Sequence, residues 1–307
     1  MLHPNKTKEK TGGSELRKRK RKSPYLQFLP YIAPAFLIWA VFQLYPSLRI
    51  FPLSLFHWDG MSAEKVFVGF GNYLNLRLEP TIGKTVVNSI LYMVALVIIQ
   101  NTLGIVFAVI LKRNTTFNKF FRTLFFAPLA FGTIMIGLVW GYIFDANMGV
   151  LNNLLGLLGL NSLKRAWLTT PYLGILCVAF VHAWHYLGYT ITLTLAGLQE
   201  IPETLYEAAD VDGVGRVQQF FYITLPLLKS TILRLVILTV CGAAVSFDYI
   251  YALNGGSGLA TNLDTLAVFM YRSIRDTNVG KTSAIGVLIV LIVVAIYVIQ
   301  NLTVKED

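Results

Sequence analysis

Residues 207–226 read EAADVDGVGRVQQFFYITLP and form a short polar stretch between two long apolar runs. Pro202 and the acidic side chains after it are typical of a helix start, because carboxylates stabilise the positive end of the helix dipole. Gly213 predicts the end of that helix, and residues 216–222 predict a second short helix before Pro226. The stretch is therefore predicted to be a rigid helical elbow on one face of a membrane, suited to docking.

The composition of the chain is that of a membrane protein. Hydrophobic residues make up 55% of it and charged residues 14%, against about 25% charged residues in soluble domains. A helix needs about 20 apolar residues to cross a bilayer. Five uncharged runs, and a sixth in which Lys229 and Arg234 reach toward the lipid headgroups, predict an all-α membrane protein with six transmembrane helices. The predicted spans are residues 29–50, 85–111, 123–144, 170–196, 227–248 and 282–303. They belong to one six-helix transmembrane domain over 25–307, with a polar loop at 200–226 and a basic, disordered tail at 1–24.

Basic residues predict which side of the membrane each loop faces. Residues 17–22 are all Lys or Arg and directly precede the first span, and residues 112–122 form a second basic loop on the same side. Cytoplasmic loops are enriched in Lys and Arg, so both termini and the loop 200–226 are predicted to be cytoplasmic in a multi-pass cell-membrane protein. A basic run can also bind nucleic acid. Next to a span it is interpreted as an anchor on anionic membrane lipids, and no nucleic-acid partner is predicted.

The elbow resembles the EAA loop of ATP-binding-cassette (ABC) importer permeases. That pattern is Glu-Ala-Ala, three residues, Gly, nine residues, Ile, any residue and Leu-Pro. The matching positions here are Glu207, Ala208, Ala209, Gly213, Ile223, Leu225 and Pro226. The motif gains weight from its place between two predicted spans. Residues 201–206 and several outer segments are similar to the carbohydrate-uptake branch, and in particular to the larger subunit of maltose-type importers.

This resemblance implies a type I ABC importer permease fold and half of a pathway for binding-protein-dependent uptake of a sugar or oligosaccharide. The implied partners are a second permease subunit in a heterodimer, two ATP-binding-cassette ATPase subunits and an extracytoplasmic solute-binding protein. The seven matching residues are implied to couple the chain to the ATPase, with Glu207 as the charged contact or a helix cap and Gly213 as the bend. The chain itself is expected to hold no cofactor and to be no enzyme, because ATP and Mg²⁺ are bound by the ATPase subunits.

Two alternatives remain open at this point. A permease of the same family could carry a solute that is not a sugar. A secondary transporter would need carboxylates near the bilayer midplane. The candidates Asp145, Glu200 and Asp248 are predicted at span ends.

The predicted solute pathway lies on the fourth and fifth spans. Sugars are bound by aromatic rings together with hydrogen-bonding side chains, and both occur here. By resemblance to maltose-type permeases, aligned on Ile201, the pathway residues are His185, Tyr186, Tyr189, Thr239 and Ser246. The alternative is that these aromatic side chains pack between helices.

The remaining features are interpreted as structural. Cys177 and Cys241 are predicted to be packing residues, and His182 with His185 to be polar lining of a helix bundle and no metal site. Gly137 and Gly141 are predicted to form a helix contact face. Residues 254–258 depart from the Thr-x-Gly-Gly-Pro turn usual in the family.

Overall fold

The computed structural model describes residues 25–253 and 262–303. The predicted basic tail 1–24 and the glycine-rich departure at 254–258 lie outside the described residues. The chain divides into two units, Met1–Arg49 and Ile50–Asp307.

The first unit is helical throughout its described part. Helix α1 (Tyr25–Trp39) leads through a wide π-helical turn at Ala40–Leu44 into α2 (Tyr45–Leu53). In that turn the N–H of Tyr45 bonds to the carbonyl of Ala40. The wide turn fits the sequence because the next residue, Pro46, has no N–H and its ring needs room against the preceding turn. The predicted span 29–50 falls on these helices.

The second unit begins with a small hairpin that the all-α prediction missed. Strands β1 (Phe56–His57) and β2 (Val66–Phe67) pair antiparallel, and helix α3 (Gly71–Leu78) follows. The buried Asn72 joins the two parts, because its Nδ2 donates to the carbonyl of Phe56 at 2.9 Å.

Helices make up most of the remaining chain. They are α4 (Ile82–Ile110), α5 (Thr116–Phe126), α6 (Thr133–Ile143), α7 (Val150–Leu157), α8 (Leu173–Gln199), α9 (Thr204–Val211), α10 (Arg216–Gln219), α11 (Leu225–Leu227), α12 (Lys229–Val245), α13 (Asp248–Leu253), α14 (Leu266–Arg275) and α15 (Val279–Thr303). Short 3₁₀ turns lie at Ala127–Ala130 and Asn161–Leu163, and a π-helical turn lies at Phe220–Thr224. Within the described ranges, four helices are long and apolar enough to cross a bilayer, or six spans when two bent helix pairs each count as one.

The core of the second unit is built around α4 and α8. Leu96 of α4 and Val178 of α8 are fully buried. Close approach of the helices depends on glycine: a Cβ on Gly188 would lie 2.4 Å from the carbonyl oxygen of Phe125. A Cβ on Gly137 would lie 2.5 Å from that of Ala252, which confirms the predicted contact face on α6.

The third span is broken, so the prediction of one helix over 123–144 is wrong. Thr116–Ala130 and Thr133–Ile143 meet at 99°, and Phe131 and Gly132 between them have extended backbone, with ψ of 147° and 143°. Pro128 supplies no N–H and Gly132 has a low helix propensity, which weakens the helix at this point. Tertiary contacts then decide the break.

The fifth span is also shorter than its predicted range of 227–248. Helix α12 ends at Val245, Ser246 is extended with ψ of 106°, and α13 begins at Asp248. At the other end the helices Arg216–Leu227 and Lys229–Val245 meet at 69°.

Candidate coupling loop and solute cavity

Gly213 ends the first helix of the EAA loop in the left-handed conformation, with φ of +72°. The N–H of Gly213 donates to the carbonyl of Asp210 at 3.1 Å, and that of Val214 donates to Ala209 at 2.9 Å. This pair of bonds is a Schellman cap, which satisfies the last carbonyls of α9 and turns the chain. The sequence prediction of a glycine-dependent bend at this position is confirmed.

Two side-chain contacts hold the arms of the elbow together. Gln219 of α10 donates from Nε2 to Oδ1 of Asp210 at 2.6 Å and to the carbonyl of Val214 at 3.0 Å. The hydroxyls of Tyr206 and Thr224 lie 3.0 Å apart. The sequence prediction missed Gln219, Tyr206 and Thr224. A signal was present for Gln219, because it is a polar residue on the face of the elbow that the apolar pattern predicts to be buried.

The outer surface of the elbow presents a charged group beside apolar ones. Glu207 and Ala208 are exposed, whereas Ala209 is buried, so only one of the two alanines lies on the outer surface of the elbow. Val211 and Tyr222 are 88% and 79% exposed. Ile223 and Leu225 are half-buried and Pro226 is exposed. The turn at Phe220–Thr224 is π-helical, and in it the N–H of Leu225 donates to the carbonyl of Phe220. The cause is the same as in the turn at Ala40–Leu44, because the next residue, Pro226, has no N–H and its ring needs room.

A cavity of about 340 Å³ lies between α4, α6, α8, α12 and α13. Both broken spans end at it, because Thr133 at the start of α6 and Ser246 after α12 line its wall. Non-helical backbone at membrane depth is tolerated where it is buried in protein or lines a polar cavity. The volume falls in the range of small-molecule sites.

The cavity brings together four of the five predicted pathway residues. Tyr186 and Tyr189 of α8 line it, as do Thr239 and Ser246. His185 does not line it: the side chain is 2% exposed and is turned toward the break in the third span.

The profile of the family described as "Binding-protein-dependent transport system inner membrane component" matches residues 100–305. The match covers more than half of the chain, including the EAA loop and every residue that lines the cavity. The chain belongs to this family. The prediction of an ABC importer permease, made from the EAA pattern, is confirmed.

Relatives cover nearly the whole permease. It is 36% identical over 280 residues to the probable ABC transporter permease protein YurN of Bacillus subtilis, covering 90% of this chain and 94% of that protein. It is 32% identical over 287 residues to the trehalose/maltose transport system permease protein MalF of Thermococcus litoralis, and the alignment covers 93% of this chain and 95% of that protein.

The fold is shared with a permease chain of known structure. A crystal structure of a bacterial alginate ABC transporter, in complex with an alginate pentasaccharide-bound periplasmic protein, superposes with a TM-score of 0.75. The identity is 20%, and the match covers 90% of this chain and 93% of that chain. The predicted type I permease fold is thereby confirmed.

The cavity of the permease includes polar residues that the sequence prediction missed or set aside. They are Gln100, Thr133, His182, Thr190, Asp248 and Tyr249. Gln100 donates from Nε2 to the hydroxyl of Thr190 at 2.9 Å. An uncharged polar group inside an apolar span is a signal that could have identified Gln100, since such groups are costly in lipid. Asp248, predicted at a span end, lies beside the cavity because the helix breaks before it.

A second, larger cavity of about 620 Å³ lies at the end of the permease opposite the EAA loop. Lys84, Asp145 and Trp167 line it. The backbone N–H groups of Met148 and Asn147 donate to Asp145 and lower the pKa of that carboxyl.

Over the described ranges, no group of three or more His, Cys, Asp or Glu side chains could hold a metal ion. Cys177 is buried, as expected of a packing residue, but Cys241 is exposed, so its predicted packing role is wrong within this chain.

Proposed function

We propose that this permease forms one half of the pathway by which a sugar or oligosaccharide is imported. The observation that carries the proposal is the cavity at the two broken spans, where Tyr186 and Tyr189 lie beside several hydrogen-bonding side chains. Aromatic rings can stack on the apolar faces of sugar rings, and hydroxyl and amide groups can bind the sugar hydroxyls. The relative named for trehalose/maltose transport favours the same solute class.

The EAA loop is the proposed docking site for an ATPase subunit. Glu207 would make the charged contact, the small Ala208 would allow close approach, and Gly213 sets the bend between the arms. Closure of the ATPase pair would push the elbow, and the half-buried Leu225 and the adjoining Pro226 would pass the movement to α12. ATP and Mg²⁺ are bound by the ATPase subunits in this proposal, and the permease is a non-catalytic subunit.

Membership of the family supports the remaining proposed partners. A second permease completes the pathway, and an extracytoplasmic binding protein delivers the solute. The termini and the EAA loop then face the cytoplasm, where ATP is available. Alternating access results from rocking of the helix bundles, each state biased by nucleotide.

Reconstitution tests the transport proposal. The permease is assembled with a second permease and ATPase subunits in liposomes, and uptake of labelled maltotriose, with an amino acid as comparison, is measured with its binding protein. We expect sugar uptake that requires ATP. Uptake of the amino acid alone would contradict the carbohydrate assignment, and uptake that follows an ion gradient without ATP would contradict the whole proposal.

Co-purification tests the docking proposal separately. Glu207→Lys should weaken retention of the ATPase subunit, because it reverses the charge on the exposed face of α9. Glu203→Lys is the matched control, since Glu203 is also exposed but precedes the helix. Equal retention in both variants would contradict the role of Glu207.

A further inference from the structure

The break in the third span leaves backbone groups without helical partners. Phe131 and Gly132 are extended, and the helices on either side diverge by 99°. Inside a membrane protein an unpaired carbonyl is costly, because no lipid group can donate to it. The break therefore needs a donor from another element.

His185 of α8 supplies that donor. Its Nε2 lies 3.2 Å from the carbonyl oxygen of Phe131, and its Nδ1 is hydrogen-bonded to the hydroxyl of Tyr249. A carbonyl oxygen can only accept, so Nε2 carries the proton. In the neutral ring Nδ1 then accepts, and Tyr249 donates to it. The ring is neutral because a buried imidazolium would need a counter-ion, and its hydrogen bonds in the described part of the chain include no carboxylate.

Tyr249 links the same histidine to the fifth span. It lies in α13, directly beyond the break at Ser246. Its ring stacks on His182 with centroids 4.7 Å apart, and Nδ1 of His182 lies 2.6 Å from the hydroxyl of Tyr92 in α4. The two broken spans are thus tied to each other and to the long helices α4 and α8.

His185 binds the backbone of the break and does not face the cavity. It is 2% exposed and lies outside the cavity wall, whereas the next residue, Tyr186, lines the cavity. Neighbouring positions on a helix point about 100° apart, which explains the different roles of the two residues.

We propose that His185 is a positioning residue that fixes the break in the third span and sets its position relative to Tyr249. It acts through the carbonyl of Phe131 and the hydroxyl of Tyr249, and so keeps the cavity wall at Thr133 in place during transport. The proposal rests on the proposed transport role of the cavity, but it requires no particular solute.

Amide substitutions that replace one ring nitrogen at a time separate the bond to Phe131 from the bond to Tyr249. The amide nitrogen of Gln reaches the position of Nε2, so His185→Gln keeps a donor for Phe131, whereas His185→Asn keeps only a partner for Tyr249. Tyr249→Phe removes one hydroxyl and retains the ring. Tyr142→Phe is the control, because Tyr142 of α6 is 77% exposed.

The first measurement is the accessibility of the break. Thr133→Cys is introduced into the full chain with Cys177→Ala and Cys241→Ala, and its rate of maleimide labelling is followed in the assembled transporter in nanodiscs. We expect His185→Asn to raise the rate about fivefold, the factor that one net hydrogen bond is worth, and His185→Gln to leave it nearly unchanged. Equal rates in the two variants would overturn the proposal.

The second measurement is the ¹⁵N spectrum of the histidine side chains in lipid bilayers. The His185 signal, identified by its loss in His185→Gln, should be that of a neutral ring protonated at Nε2. Tyr249→Phe should shift its Nδ1 resonance, and Tyr142→Phe should not. A ring protonated at Nδ1, or no response to Tyr249→Phe, would overturn the proposal. Neither measurement needs a transported solute, so a failure of the sugar assignment would leave both interpretable.

Discussion

The hydroxyl groups of Tyr206 and Thr224 lie 3.0 Å apart and join helix α9 to the turn that leads into the fifth span. Lys112 lies over the same tyrosine ring, with Nζ 4.1 Å from the centroid. The hydrogen bond therefore connects α9 directly to Thr224, the residue before Leu225.

The bend at Gly213 should be essential for ATP-driven uptake. A side chain there costs about 1 kcal/mol because φ is positive, and Gly213→Glu or Gly213→Pro also changes the docking surface. We expect both variants to insert in the membrane and to lose uptake, measured together with co-purification of the ATPase subunit.

Two controls separate strain from bulk at this bend. Gly213→Asn should retain part of the uptake, because Asn tolerates the left-handed region better than other side chains. Gly215→Ala should have little effect, since Gly215 has φ of −67°. Normal transport by Gly213→Pro would show that the loop is not a coupling element.

The contact between Gln219 and Asp210 should keep the elbow rigid. Gln219→Leu removes two hydrogen bonds, which together contribute about 2 kcal/mol. The docking face is untouched, so the ATPase subunit should still co-purify while uptake per ATP hydrolysed falls. Asp210→Asn retains an acceptor and should behave like wild type. A loss of co-purification in Gln219→Leu would instead place Gln219 in the docking surface.

The aromatic wall of the cavity should determine solute affinity. Tyr189→Ala is expected to raise the KM of sugar uptake about fivefold, since an aromatic contact is worth about 1 kcal/mol. Tyr189→Phe keeps the ring and should change the KM less. Tyr142→Ala removes an exposed tyrosine outside the cavity and serves as control. An unchanged KM in Tyr189→Ala would exclude stacking at this position.

The contact of Gly188 with the backbone of α5 should limit stability. Gly188→Ala places a methyl group against the Phe125 carbonyl, and overpacking of this kind costs about 1–3 kcal/mol. Thermal unfolding of the detergent-solubilised permease should show a lower midpoint. Gly83→Ala is the control, because a Cβ there meets no atom within 4 Å. Equal midpoints would mean that α5 moves freely away from α8.

The orientation of the permease is testable with fused reporters. A reporter after Asp307 should be cytoplasmic, and one inserted within 152–162 should be outside. The expectation follows from the basic run at 17–22 and the even number of spans. The reverse result would put the EAA loop on the side without ATP.

Local patterns in the sequence determined the apolar spans and the glycine-dependent elbow. An apolar run long enough to cross a bilayer and a glycine at a helix end depend on residues close together in the chain. The EAA spacing was sufficient to identify the family because it too is a local pattern: its matching positions all lie within 207–226.

Tertiary structure alone decided the cavity and the roles of adjacent residues within it. The sequence predicted both His185 and Tyr186 as pathway residues, but only Tyr186 lines the cavity. His185 turns to the break at Phe131, which the sequence prediction placed inside a continuous helix. The hydrogen bonds of Gln100 to Thr190 and of Tyr249 to His185 join residues far apart in the chain and complete the arrangement. The apolar pattern specifies that a segment crosses the membrane, but which face of it meets a cavity depends on how neighbouring helices pack.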